Sequence, residues 1–330
     1  MSPSLPQTKL DLALENGIKC SSERGNALFP GVWKIKKLLN IGSEKRLKIA
    51  ISEIRGFAVT IIKEKKQELR EKESLDSVDL LSRLLNSDHL DENSVIDFVI
   101  SFILAGRDTS SAALTWFFWV LSKNPEIESE ILKEIKEKSE GPVYDEVKDM
   151  VYTHASLCES MRLYPPVALD AKEAVNDDVL PDGTVVKKGM KVSYFPYAMG
   201  RLEKLWGSDW AEFKPERWLQ KEEENSKSSW RFVGRDSYTY PVFQAGPRIC
   251  LGKEMAFLQM KSVVAGVLRR FKVVPAFEQG VQEPEYDSFL SKMKGGFPVK
   301  IEEKERDHLI LRIEYCESRS TAPDYLSLFP

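Results

Sequence analysis

The sequence predicts a mainly α fold with small β-sheets, an α+β class, and three observations carry that prediction. Apolar residues recur at helical spacing through long, highly charged stretches in the first half of the chain. From Val167 to Pro196 the texture changes to short runs of Val, Leu and Tyr broken by Pro181-Asp182-Gly183 and Lys188-Gly189, which predicts small strands and turns. Between Phe243 and Lys253 a single cysteine sits in a Gly/Pro-rich loop that immediately precedes an amphipathic helix. The chain of 330 residues, 42% of them hydrophobic, is long enough to bury a large core.

Residues 1–31 are mixed, with Pro3, Pro6, Gly17, Gly25 and the Pro30-Gly31 turn signal around a short helical pattern from Leu10 to Ile18. Helical spacing continues in Trp33, Ile35, Leu38 and Leu39. Leu47, Ile51, Ile54, Phe57 and Ile61 then predict one long helix from about Ser43 to Lys72, with its Lys-, Arg- and Glu-rich face turned to solvent. Leu80, Leu81, Leu84 and Leu85 give a short helix within Leu75 to Ser87. An exceptionally long helix starts at the capping residues Asp91-Glu92-Asn93 and runs to about Ser122, before Asn124-Pro125 ends it. Its middle, Ala105-Gly106-Arg107-Asp108-Thr109-Ser110, collects small residues and hydroxyls where helix interiors favour larger formers, so this turn is prone to bend.

Ile127, Ile131, Leu132 and Ile135 predict the next helix, and another spans about Val151 to Tyr164, stopped by Pro165-Pro166. Residues 199–240, rich in Trp, Gly and charge, read as mostly irregular loop. After the cysteine loop come a helix from about Gly252 to Arg270, a strand at Phe271 to Val274, and a hairpin-like region from Phe289 to Ile301 around Gly295-Gly296. No internal repeat is visible.

Composition excludes several classes. A formal charge of −3, with 30% charged residues and no separate basic block, argues against nucleic-acid binding. Cys20, Cys158, Cys250 and Cys316 are widely spaced without a CxxC pair, so neither a disulfide framework nor a zinc site is expected, and the environment reads as reducing. His89, His154 and His308 show no metal-ligand spacing. The N-terminus has neither a basic region nor an apolar core, so no signal peptide is expected. Val95 to Leu121 is long enough to span a membrane, but Asp97, Arg107 and Asp108 would be costly in lipid, and a buried helix fits better.

The chemistry centres on Cys250. Gly246 and Gly252 let the loop turn tightly and approach a flat ligand, and Pro247 stiffens it. A position beside a helix N-terminus favours the thiolate, the form of cysteine that binds metal. Arg248 supplies a cation suited to a carboxylate. Phe243, Gly246, Arg248, Cys250 and Gly252 together resemble the haem-binding signature of the cytochrome P-450 family at every fixed place, a match expected by chance on the order of once in a million windows or fewer.

Further stretches resemble the family in the required order. Ala105-Gly106-Arg107-Asp108-Thr109 is similar to the oxygen-binding turn of its long central helix, Glu159-Ser160-Met161-Arg162 to its Glu-x-x-Arg motif, and Pro215-Glu216-Arg217-Trp218 to the loop that supplies a third charged partner. The resemblance implies the C-terminal two-thirds of the cytochrome P-450 fold, with that central helix over the haem. It covers a partial domain over residues 1–303, with the haem-binding loop at 243–252 and an unassigned tail at 304–330.

For the site, the resemblance implies Cys250 as ligand to the iron of haem b, Arg248 on a propionate, and Glu159, Arg162 and Arg217 as a structural ion network. Read without the family, Glu159 and Arg162 would be an ordinary surface pair. It also implies proton delivery by Asp108 and Thr109. The alternative is that Thr109 bonds back to a carbonyl of the preceding turn while Asp108 pairs with Arg107 or solvent.

The implied reaction inserts one atom of O2 into a C–H bond, with electrons from NADPH through a cytochrome reductase. Lys253, Lys261, Arg269 and Arg270 are candidates to dock that partner, or else form a solvated helix face. The wording of the cysteine loop, with Tyr164-Pro165-Pro166 and Lys294-Gly295-Gly296, is most like the plant fatty-acid ω-hydroxylase clade. That implies a lipophilic substrate in an apolar channel, with Phe102, Ala105, Val167, Leu169, Phe289 and Leu290 as candidate lining or plain core.

The family's full-length members imply an endoplasmic reticulum membrane location on the cytosolic face, but no anchor is expected in this chain. Two alternatives stay open: a non-catalytic fragment that does not hold haem stably, and a haem-thiolate enzyme that rearranges peroxides.

Overall fold

A computed structural model describes residues 8–25, 31–71, 79–87, 90–138, 147–221, 230–276 and 290–304. Ten α-helices carry these residues. α1 (Lys9–Gly25), α2 (Val32–Leu39) and α3 (Gly42–Glu71) come first, then α4 (Leu80–Leu85) and α5 (Glu92–Leu121). α6 (Pro125–Lys138) and α7 (Val151–Leu163) follow, then the short α8 (Pro196–Met199) and α9 (Glu203–Trp206), and last α10 (Lys253–Arg270).

Local chemistry sets the starts of the helices. Asp91 accepts from the Ser94 backbone N–H at 2.7 Å to cap α5, and Asp79 caps α4 through Ser82 N–H at 2.9 Å. α7 has no cap of its own; Glu134 of α6 reaches across and accepts from the N–H groups of Tyr152 at 2.7 Å and Thr153 at 2.8 Å.

The main core forms where the C-terminal half of α5 (Ala113, Phe117, Leu121), the Ile127-Ile131-Ile135 stripe of α6, and α10 (Phe257, Met260, Val264, Leu268) close around α7. α7 is buried on nearly every side, which its sequence does not advertise with an amphipathic pattern. α3 packs on α1 through Ala50 and Ile54 against Ala13 and Leu14, and on the start of α5 through Ala58 and Ile62 against Val95 and Ile96. No helix among the described residues is long and apolar enough to cross a membrane.

The strands form small antiparallel ribbons. β1 (Asp170–Glu173) pairs with β4 (Lys191–Tyr194), and β2 (Asp178–Val179) with β3 (Val185–Val186). β5 (Leu219–Lys221) pairs with β6 (Trp230–Phe232), a short ribbon within a stretch, residues 199–240, whose described residues are otherwise mostly turns and irregular loop. Trp218, buried beside this ribbon and stacked parallel to Phe232, gives it an anchor.

One correction concerns the end of the chain. Among the described residues of the expected Phe289–Ile301 hairpin, no two strands pair with each other: β8 (Val299–Glu303) pairs with β7 (Phe271–Pro275), while Leu290 bridges to Val167. Gly295 and Gly296, at φ +75 and +77, make the turn between these two attachments.

Candidate functional site

Cys250 stands exposed at the approach to α10, flanked by the exposed side chains of Ile249 and Leu251. Its backbone N–H donates to the Phe243 carbonyl at 2.7 Å, which closes the loop into a ring, and the Phe243 side chain packs on Phe257 of α10 with ring centroids 5.1 Å apart. Gly246 takes φ +63, where a Cβ would meet the Tyr238 hydroxyl at 3.3 Å. At Gly252 a Cβ would meet nothing within 4 Å, so on the local structure alone this position does not require glycine.

The residue after Phe243 is unusual. Gln244 adopts φ 64 and ψ 179, a region that only glycine enters readily, at a cost of order 1–3 kcal/mol. Its side chain is held by Asp170, whose Oδ2 accepts from Nε2 at 2.7 Å, and by the Tyr194 hydroxyl, whose single proton is shared between Gln244 Oε1 and Asp170 Oδ2, the latter at 2.8 Å. Burial alone would raise the Asp170 carboxyl, but Lys172 and Tyr194 outweigh it and hold it at about 2.

Glu159, Arg162 and Arg217 meet in the core. Arg162 grips the carboxylate with Nη2 at 2.8 Å and Nε at 2.9 Å, and Arg217 Nε adds a third charged bond at 3.1 Å. Trp218 Nε1 at 2.9 Å and the Lys214 N–H at 3.2 Å occupy the remaining acceptor positions of Glu159. The arginines place other N–H groups on carbonyls, Arg162 on Gly200 and Glu212 and Arg217 on Trp206 and Asp209, and Arg217 also meets the Asp209 carboxylate at 2.7 Å. Gly200 comes so close that a Cβ there would collide with the Arg162 carbonyl. The network ties α7 to the segment from α8 through Trp218.

On α5, Asp108 is buried and bonds to Arg107 at 3.1 Å, and Lys292 stands 3.4 Å from its other oxygen. Arg107 also reaches Asp11 of α1 at 2.8 Å. The Thr109 hydroxyl donates to the Ala105 carbonyl at 2.7 Å. Lys292 is delivered there because its neighbour Ser291 is pinned twice: its carbonyl accepts from Trp116 Nε1 at 2.6 Å and its N–H donates to Pro166 at 2.9 Å.

The substrate-lining candidates divide. Val167 and Leu290 are brought together as an antiparallel bridge, Phe102 and Leu169 are half-buried, Ala105 is exposed, and Phe289 lies outside the described residues. Lys261 is not on a docking face: its side chain is buried and donates to the Lys148 carbonyl at 2.7 Å, because this side of α10 packs toward α7. Arg269, Arg270 and Lys253 keep some exposure. Sequence reading missed Gly200, Trp218, Asp170, Tyr194 and Lys292 as partners of the site. Of these only Trp218 carried a signal, through its place beside Arg217.

His154 is held neutral. Burial first, with Lys261 and Lys253 adding to it, lowers its imidazole to about 3. It stacks on Phe257 at 4.0 Å and meets Phe232 edge-on at 4.4 Å. Cys20 and Cys158 are buried, and burial pushes the Cys158 thiol well above its ordinary range. Cys316, His89 and His308 lie outside the described residues.

Among the described residues no three His, Cys, Asp or Glu side chains cluster as metal ligands. A lone exposed thiol therefore suits a metal that brings its other ligands with it, as the iron of a porphyrin does. The open space at Gly252, the apolar Ile249 and Leu251, and the exposed Arg248 guanidinium fit a flat apolar group carrying carboxylates.

Comparisons with known proteins agree in direction. A cytochrome P450 family model matches residues 9–299. Cytochrome P450 94A1 of Vicia sativa is 63% identical over 306 residues, 92% of this chain and 59% of that relative. Cytochrome P450 94B1 of Arabidopsis thaliana is 50% identical over 305 residues, 91% and 59% of the two chains. Cytochrome P450 86B1 of the same plant is 44% identical over 263 residues, 73% and 46%. The chain spans less than two thirds of the length of these relatives.

Proposed function

Since the chain belongs to the cytochrome P450 family, we propose that its cysteine loop serves a haem-thiolate monooxygenase that inserts one oxygen atom of O2 into a C–H bond of a lipophilic substrate. The similarity to members of the 94 and 86 groups, and the wording of the loop, favour ω-hydroxylation of a fatty acid or a molecule derived from one. The observation that carries the reading is the exposed Cys250 thiol at the start of α10, framed by Gly252, Arg248 and the Phe243 ring. When bound, haem supplies an iron that activates O2.

The chain's own residues do the rest. Cys250, as thiolate, would give the iron its one protein ligand. The Arg248 guanidinium holds a propionate through charge-assisted bonds. Phe243, packed on Phe257, fixes one wall of the loop. Asp108 and Thr109 form the proton path: the Thr109 hydroxyl would turn from the Ala105 carbonyl to pass its proton on, and a proton taken from solvent and carried by the Asp108 carboxylate, which rests between Arg107 and Lys292, would replace it. Electrons come from NADPH through a reductase, and Lys253, Arg269 and Arg270 remain candidate contacts for it. The cytosolic face of the endoplasmic reticulum is the corresponding location.

The test is the carbon monoxide difference spectrum of the reduced protein, expressed with haem supplementation, beside Cys250→Ala. A strongly red-shifted Soret band that the substitution abolishes supports the reading, and NADPH- and reductase-dependent hydroxylation of fatty acids would complete it. A spectrum identical in both proteins rejects it. Turnover of lipid peroxides without NADPH would reassign the reaction.

A further inference from the structure

Asp170 and Tyr194 face each other across the β1–β4 ribbon, paired in register. Cross-strand partners in an antiparallel ribbon project to the same face, and Lys172, two residues along β1, joins them there with its ammonium 2.8 Å from Asp170 Oδ2. What this polar face holds is the Gln244 side chain, and Gln244 is the residue whose backbone occupies the glycine-only region. Its φ helps set the plane of the peptide that carries the Phe243 carbonyl, the same carbonyl that accepts the Cys250 N–H at 2.7 Å.

We propose that Asp170 and Tyr194 are positioning residues for Cys250: their grip on Gln244 keeps the strained backbone that aims the Phe243 carbonyl at the Cys250 N–H. The inference rests on the reading of Cys250 as the haem ligand only for its consequence, a thiol held in place for the iron; the clamp itself is a property of the chain. Without the clamp, Gln244 relaxes to negative φ, the carbonyl turns away, and the ring from Phe243 to Cys250 opens. If the clamp works by holding strain, glycine at position 244, which tolerates the same φ unaided, makes Asp170 and Tyr194 dispensable.

The test is amide hydrogen exchange on the full chain, following the Cys250 amide in the loop peptide and the α7 peptide as internal control. Asp170→Ala and Tyr194→Phe are expected to speed exchange of the Cys250 amide by at least about fivefold while α7 stays as protected as before. In a Gln244→Gly background the same substitutions are expected to change it by less than about twofold. Unchanged Cys250 exchange in both single variants overturns the proposal. So does equal acceleration with and without Gln244→Gly, or acceleration that extends to α7, because either marks a merely structural role.

Haem-loaded samples separate the two claims. With Cys250 as the ligand, Asp170→Ala should convert the thiolate carbon monoxide band to the neutral-thiol band faster than the parent protein does, at equal haem content. A parent protein without a Cys250-dependent band would remove the ligand reading and leave the clamp to be judged by exchange alone.

Discussion

Glu159 shows what one buried carboxylate holds together. Every acceptor position is taken by Arg162, Arg217, Trp218 or Lys214. Glu159→Ala would leave Arg162 without a charged partner in the core and Arg217 with Asp209 alone, and a loss of about 3–5 kcal/mol in urea unfolding is expected. Gly200→Ala should destabilise by a different route, since the added methyl group meets the Arg162 backbone rather than a movable side chain.

His154 makes stability pH-dependent. Unfolded, the ring takes up its proton near 6.5; folded, only near 3, so the unfolded state binds more protons in between. The stability His154 allows is complete above pH 6.5 and is lost as pH falls toward 3. The urea midpoint is expected to drop between pH 7 and pH 5, and His154→Phe should flatten that drop by removing the titrating group while keeping an aromatic ring against Phe257.

Among the elements, α7 is the one others are built on. It lies buried between α6, α10 and the segment around Trp218, and its first turn is satisfied by Glu134 from α6 rather than by a cap of its own. Glu134→Ala should cost about 1–2 kcal/mol and speed hydrogen exchange at Tyr152 and Thr153 more than at the C-terminal turn of α7. α5 works differently: its C-terminal half is core and its middle turn carries Asp108 and Thr109. The turn's small residues leave an open side, since a Cβ at Gly106 would meet nothing within 4 Å. The helix is nevertheless continuous from Glu92 to Leu121, because packing at both ends supports a turn that propensity alone would weaken.

At the scale of the molecule, ligand binding and folding should be linked. A group that binds only the folded chain raises its stability by about 4 kcal/mol at roughly 1,000 times its dissociation constant. Haem is therefore expected to raise the Tm of the parent protein, and Cys250→Ala to reduce that rise, as calorimetry with and without haem would show. The sequence by itself determined the long helices, through apolar spacing in α3, α5 and α6, and the family, through the resemblance carried by the residues from Phe243 to Gly252. These are local patterns, and local physics is enough to read them. Only the tertiary structure decided that Lys261 is buried, that β8 pairs with β7, that Lys292 stands beside Asp108, and that Asp170 and Tyr194 grip Gln244. Each of these joins residues far apart in the chain. Periodicity says which face of an element is apolar; packing decides what that face meets.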